Sequence, residues 1–241
     1  MPAERLQNIV SNSDCPLEGS VKNSNMERLL KILAWTISVI FHPIGMTFIG
    51  CLLIYLNYYQ FVFIDIVQSN RILFIRNTAV LQPIFFLFYV LPIVVCGFYW
   101  LFFMRPRESK TETINDRLIT LSLVVLIYSI CFFNTTILPI YSTFILSCII
   151  VIMLTCIITL FWKISMHCVG IGGLLGLQVY MLYLWHPYAG IVMNILPFFV
   201  ISAGLVGTAR LYLQAHSQKQ IYVGYLVGFI GIFTCLLLFK A

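Results

Sequence analysis

Between Arg117 and Lys163 the chain carries no acidic or basic side chain. About 20 apolar residues of helix cross the hydrocarbon core of a bilayer, and this stretch has room for two crossings. Asn134-Thr135-Thr136 and Pro139 interrupt it once, which predicts helices over about 118–134 and 140–162. Backbone groups in hydrocarbon find no water, so each crossing has to bond its own N–H and C=O groups as helix. The rest of the chain agrees, with 61% of its 241 residues hydrophobic and only 9% charged, where a soluble domain carries about 25% charged. The expected fold is all-α: a polytopic membrane helix bundle of about six or seven transmembrane helices over residues 27–241. Residues 1–26 are read as a polar, disordered N-terminal tail.

The remaining crossings are expected at about 29–59, 80–104, 168–185, 188–207 and 220–239. His42-Pro43 falls inside the first. Proline removes one helical hydrogen bond and kinks the helix, so this stretch is read as one broken or tilted crossing preceded by an interfacial turn. The formal net charge of +6 does not point to nucleic acid. No solvated basic domain exists to carry such binding, and cations between apolar runs reflect topology and anionic headgroups. Cys51, Cys96, Cys131, Cys148, Cys156, Cys168 and Cys235 lie in apolar runs without a C-x-x-C pair. They read as small packing residues rather than a zinc or redox site. The tail lacks the apolar stretch of a signal peptide, and Cys15 follows no such stretch that would make it a lipid anchor.

Parity turns this pattern into a site. Two crossings separate the polar segment 105–117 from Lys163–His167, and two more separate that cluster from Arg210–His216. All three clusters are therefore expected on one membrane face. Lys110 and Arg117 are seven apart, two turns along one helical face; His216 and Gln220 are four apart and share a face as well. Gln220 is placed to hold the His216 imidazole in one tautomer, and Arg210 offers a planar fork suited to phosphate. Lys163, Ser165 and His167 add a cation, a hydroxyl and a second imidazole. Several cations, one hydroxyl and two histidines suit phosphoryl transfer with a histidine nucleophile and a histidine general acid, the cations stabilising the equatorial oxygens. No cofactor and no metal is called for.

The spacing resembles that of the type-2 phosphatidic acid phosphatase superfamily, related to vanadium haloperoxidases. That family carries K-x6-R-P, then P-S-G-H, then S-R-x5-H-x3-D. The corresponding stretches here are Lys110-x6-Arg117-Leu118, Ile164-Ser165-Met166-His167 and Ala209-Arg210-x5-His216-x3-Gln220. The likeness covers roughly residues 80–235. It implies that Lys110, Arg117 and Arg210 grip a phosphate, that Ser165 donates to it, that His167 protonates the leaving group and that His216 is the nucleophile, with Gln220 behind it. It further implies an integral membrane hydrolase of the bacterial inner membrane, acting on a phosphatidyl or polyprenyl phosphate or pyrophosphate. Its partners would be membrane lipids and the lipid phosphate itself. Gln220 stands where the family has Asp, and Met166 where it has Gly. These departures motivate the alternative reading: a catalytically impaired relative that binds lipid headgroups or scaffolds partners in the membrane.

The other polar residues read more simply. Arg105 and Arg107 serve topology, and Lys163 snorkels at an interface. His42 and His186 precede prolines at turns and read as structural. Gly170, Gly172, Gly173 and Gly176 suit close helix packing. A small transporter would favour ionisable groups at the midplane, which these spans lack, and a di-metal enzyme would need more carboxylates on the candidate face. The positive-inside rule puts that face in the cytoplasm, whereas the resemblance implies the opposite side.

Overall fold

The computed structural model describes residues 18–69, 86–99, 101–102, 113–134, 139–185 and 190–239. Among them every regular element is helical. They are α1 Glu18–Ile40, α2 Pro43–Ser69, a π-helical turn Phe86–Val90 running into α3 Leu91–Tyr99, α4 Ile114–Asn134, α5 Pro139–Phe161, α6 Met166–Trp185, α7 Gly190–Tyr212 and α8 Gln218–Phe239. Helices α5, α6, α7 and α8 are each long and apolar enough to cross a membrane. The α1–α2 pair adds a fifth crossing if counted as one broken span. The six or seven expected from the sequence are therefore not reached among the described residues. The stretch expected at 80–104 is represented by the shorter apolar helix Phe86–Tyr99. Helix α1 also begins at Glu18, inside the segment read as a disordered tail.

The α1–α2 break follows from Pro43. Its nitrogen has no hydrogen to give to the preceding turn, so α1 ends and the chain bends by 53°. Proline suits the first position of a new helix, where the missing N–H is not needed. His42 occupies the cap before it, and its Nδ1 accepts the Ile44 N–H at 3.4 Å.

Glycines seat α6 against α8, the most extensive helix pairing among the described residues. A Cβ on Gly172 would sit 2.5 Å from the Tyr225 carbonyl oxygen, and one on Gly176 2.5 Å from that of Phe229. From the other side, a Cβ on Gly224 would lie 2.9 Å from the Ser165 carbonyl oxygen. Backbone rides on backbone along this parallel seam, so dispersion contacts are gained that any larger residue would forbid. At its top, the Ser165 N–H donates to the Gln220 carbonyl at 3.4 Å. The starts of α6 and α8 are thus held side by side.

The bundle is apolar outside as well as inside. Leu126, Ile130, Ile157, Ile201, Leu226 and Ile230 all point outward and are exposed, an arrangement that water would penalise and lipid does not. Some buried hydroxyls are satisfied within their own helices: Thr155 donates to the Val151 carbonyl and Ser202 to that of Phe198, at 2.7 and 2.8 Å. The chain is a helical membrane protein.

Candidate functional site

One cavity of about 230 Å³ opens at the end of the bundle where α2, α4, α6 and α8 begin and α5 and α7 finish. Arg117, His167, Arg210 and His216 all line it, together with His42. Residues from widely separated stretches of sequence thus meet at one place. Each is brought there by a local device that the backbone makes legible.

Arg117 rides on the first turn of α4. Thr113 caps that helix, its hydroxyl accepting the Asp116 N–H at 3.2 Å, while the Asp116 carboxylate accepts the Thr113 N–H at 3.1 Å. The same carboxylate accepts the Thr113 hydroxyl at 2.7 Å. This reciprocal box, worth about 1 kcal/mol for the cap, fixes the direction in which Arg117 leaves the helix.

Arg210 closes α7, and its carbonyl explains the spacing to His216. The Ala215 N–H reaches back to the Arg210 carbonyl at 3.1 Å and the Gln214 N–H to that of Leu211 at 2.9 Å. This is the paired closure of a Schellman turn, which needs a left-handed residue at its corner. Gln214 fills that corner with φ of 51°, where glycine would be usual, at a cost of roughly 1 kcal/mol. The turn reverses the chain tightly and returns His216 to the cavity that Arg210 lines.

Gln220 then sets the chemistry of His216. Its Oε1 accepts the Ser217 N–H at 3.0 Å, as the third helical residue of a capping box does. The same oxygen lies 3.3 Å from His216 Nδ1. Because the Ser217 N–H already marks this atom as the acceptor, Nδ1 is the protonated nitrogen and Nε2 keeps its lone pair. His216 is only 7% exposed. Burial pushes its pKa down to about 4, and the positive charges of Arg210, Lys163 and Arg117 push the same way, with the Gln220 acceptor opposing. The imidazole is therefore neutral at pH 7. Since the folded value lies below the ordinary 6.5, the unfolded chain binds this proton first. The contribution to stability is complete above pH 6.5 and is lost as pH falls through about 4. Histidine-labelled protein followed by NMR should show the His216 ring as the Nδ1–H tautomer at neutral pH, taking up its second proton near pH 4. Titration near 6.5 would contradict the burial, and an Nε2–H tautomer would contradict the Gln220 assignment.

His167 is held differently. Its Nε2 lies 3.1 Å from the Ser38 carbonyl, which can only accept, so Nε2 donates and Nδ1 remains for exchange. His42 packs edge-on against it, with ring centroids 5.8 Å apart. His42 is expected from the sequence to be a structural residue at a turn. It does cap α2, and it also lines the cavity, a position that depends on the 53° bend.

Ser165 is fully buried beside the α6–α8 contact and is not among the described lining residues. Its hydroxyl has no hydrogen-bond partner among the described residues. Lys163 is exposed and is not on the cavity lining, though its charge acts on His216. Lys110, Arg105, Arg107 and His186 lie outside the described residues.

The starts of α2, α4, α6 and α8 outnumber the ends of α5 and α7 here, so the helix dipoles on balance add positive potential beside the guanidinium groups of Arg117 and Arg210. Fold and site together define a helical membrane protein with a cavity lined by two arginines and three histidines at one end of its bundle. No protein-family model, no curated protein and no solved structure matches the chain.

Proposed function

We propose that the chain is an integral membrane lipid-phosphate phosphatase in which His216 is the nucleophile. The observation that carries this reading is the meeting of Arg117, Arg210, His167 and His216 around one cavity, with the Nε2 lone pair of His216 left available by Gln220. Counting α4, and the segment that includes α3, as further crossings completes the expected six or seven.

His216 Nε2 attacks phosphorus, a P–N bond forms, and the P–O bond to the lipid breaks. His167 gives a proton from Nδ1 to the departing oxygen. An anionic phosphate in the cavity provides the negative charge that lets His167 hold that proton beforehand. Water then attacks phosphorus, His167 takes its proton, and the P–N bond breaks to release phosphate and neutral His216. Arg117 and Arg210 hold the equatorial oxygens throughout; Lys110 joins them in the resemblance drawn above.

Gln220 supports the second reading, a headgroup binder that has lost turnover. A neutral amide orients Nδ1–H but adds no negative charge opposite the imidazolium that forms. Phosphate release from a panel of phosphatidyl and polyprenyl phosphates and pyrophosphates separates the two. Release by the wild type, and faster release by Gln220→Asp, is expected of the enzyme. Saturable binding of every lipid phosphate with no release from any would establish the binder.

A further inference from the structure

The cavity does not end at its polar mouth. It continues between α2, α4, α5, α6 and α8 past Val124 and Cys148 to Tyr128, Phe144 and Ile232. Between Arg117 and Tyr128 it follows α4 for about 16 Å, at about 1.5 Å of rise per residue. Its innermost lining residues, Tyr128 and Phe144, are 0% and 2% exposed and lie deep in the bundle.

The polar groups along this shaft are met within the bundle. Thr120 donates to the Asp116 carbonyl at 2.9 Å, Thr159 to that of Thr155 at 2.7 Å, and Tyr128 to that of Phe88 at 3.3 Å. Thr47, on the α2 side, is hydrogen-bonded to the Tyr128 and Cys148 side chains. Ordered water needs two or more unmet partners, whereas an apolar cavity of about 150 Å³ stays dry and accepts a hydrocarbon. The shaft below the mouth is of the second kind. Helices line it on the α2, α4, α5, α6 and α8 sides, and the exposed residues Leu126, Ile130, Ile157 and Leu160 lie on the outside of α4 and α5, not on this lining.

We propose that the shaft takes a single hydrocarbon chain of the ligand into the bundle, headgroup at the mouth and chain end near Tyr128. This rests on reading the mouth as a phosphate site, and it names the substrate class of that site: a one-chain lipid phosphate, alkyl or isoprenoid, rather than a lipid whose two chains stay in the bilayer. Continuity with the mouth argues for this occupant, since one ligand then fills a polar end and an apolar end in register.

The test uses the intact wild-type protein in detergent and decyl phosphate bearing a diazirine at its chain end. Photolysis is expected to label α4 and α5 at Tyr128, Phe144 or Cys148, and excess inorganic phosphate is expected to suppress that labelling. Labelling confined to outward residues such as Leu126 and Ile130 would overturn the proposal. A decanol analogue carrying the same diazirine separates the two claims. Equal interior labelling by decanol, unmoved by phosphate, would leave the chain-binding shaft standing and remove the phosphate reading of the mouth. Alkyl and farnesyl phosphates compared as competitors distinguish the two chain types. Affinity should rise about fourfold per added methylene until the chain reaches the inner end, then level off. In Val124→Trp the levelling should come at a shorter chain. A wild-type series that rises without levelling would place the chain in the detergent and contradict the shaft.

Discussion

His216→Ala is expected to reduce phosphate release from a lipid phosphate by on the order of 10⁴-fold or more, the scale on which removing a covalent nucleophile acts. The loss should fall on kcat, because Arg117 and Arg210, which grip the phosphate in the proposed mechanism, keep their places on the cavity lining. KM should change little. Since His216 is 7% exposed, truncation also leaves a small void, so His216→Asn serves as a better-filled companion. Asn keeps an amide near Gln220 but has no lone pair equivalent to Nε2, and it should be as inactive as Ala. Melting temperatures of both variants, set beside the wild type, separate lost chemistry from lost fold. A folded His216→Asn protein that retains wild-type turnover would remove the nucleophile from the account.

The second large effect is structural. Gly228→Leu should collapse the α6–α8 seam and with it the alignment of His167 and His216. A Cβ at Gly228 already meets backbone rather than a yielding side chain, with the Gly173 nitrogen 2.7 Å away and the Val169 carbonyl closer still. Overpacking a tight core costs about 1–3 kcal/mol where side chains can adjust; here only a shift of the whole helix makes room, so the upper end of that range or more is expected. Gly204→Ala is the matched control. Gly204 has nothing within 4 Å of its built Cβ, and Ala favours helix over Gly by about 1 kcal/mol. A thermal melt in detergent should show Gly228→Leu unfolding well below the wild type, or failing to purify as a monodisperse species, while Gly204→Ala matches or exceeds it. Equal stability of Gly228→Leu and wild type would mean the two helices do not sit this close.

Much of this architecture is legible in the residues because hydrocarbon leaves so few choices. The uncharged run from Arg117 to Lys163 can only be helices, and Pro43 can only break one. The close packing at Gly172 and Gly176 was readable too, since small residues four apart on an apolar helix have little other use. Parity then brought Arg117, His167, Arg210 and His216 to one end, where the structure gathers them around a cavity. What was not legible depends on geometry that no spacing encodes. His42 reaches the mouth only through the size of a bend. The turn between Arg210 and His216 uses Gln214 in a left-handed conformation, where the usual signal would have been glycine. Thr113 and Asp116 form a capping box inside a segment that read as one charged loop. Ser165 carries the motif's hydroxyl position, yet its side chain sits behind the wall the motif was expected to line. The start of α1 at Glu18 was hidden because Asn23, Ser24 and Asn25 are poor helix formers.

The central claim is that His216 carries the phosphoryl group. Rapid quenching of the wild-type protein with a phosphorus-labelled lipid phosphate, in base to preserve phosphohistidine, tests it directly by peptide mass spectrometry. A phosphoryl group on His216, lost on acid treatment and absent from His216→Asn, is the expected result. Rapid phosphate release with no phosphorylated His216 at any quench time, or with the label on another residue, would contradict it.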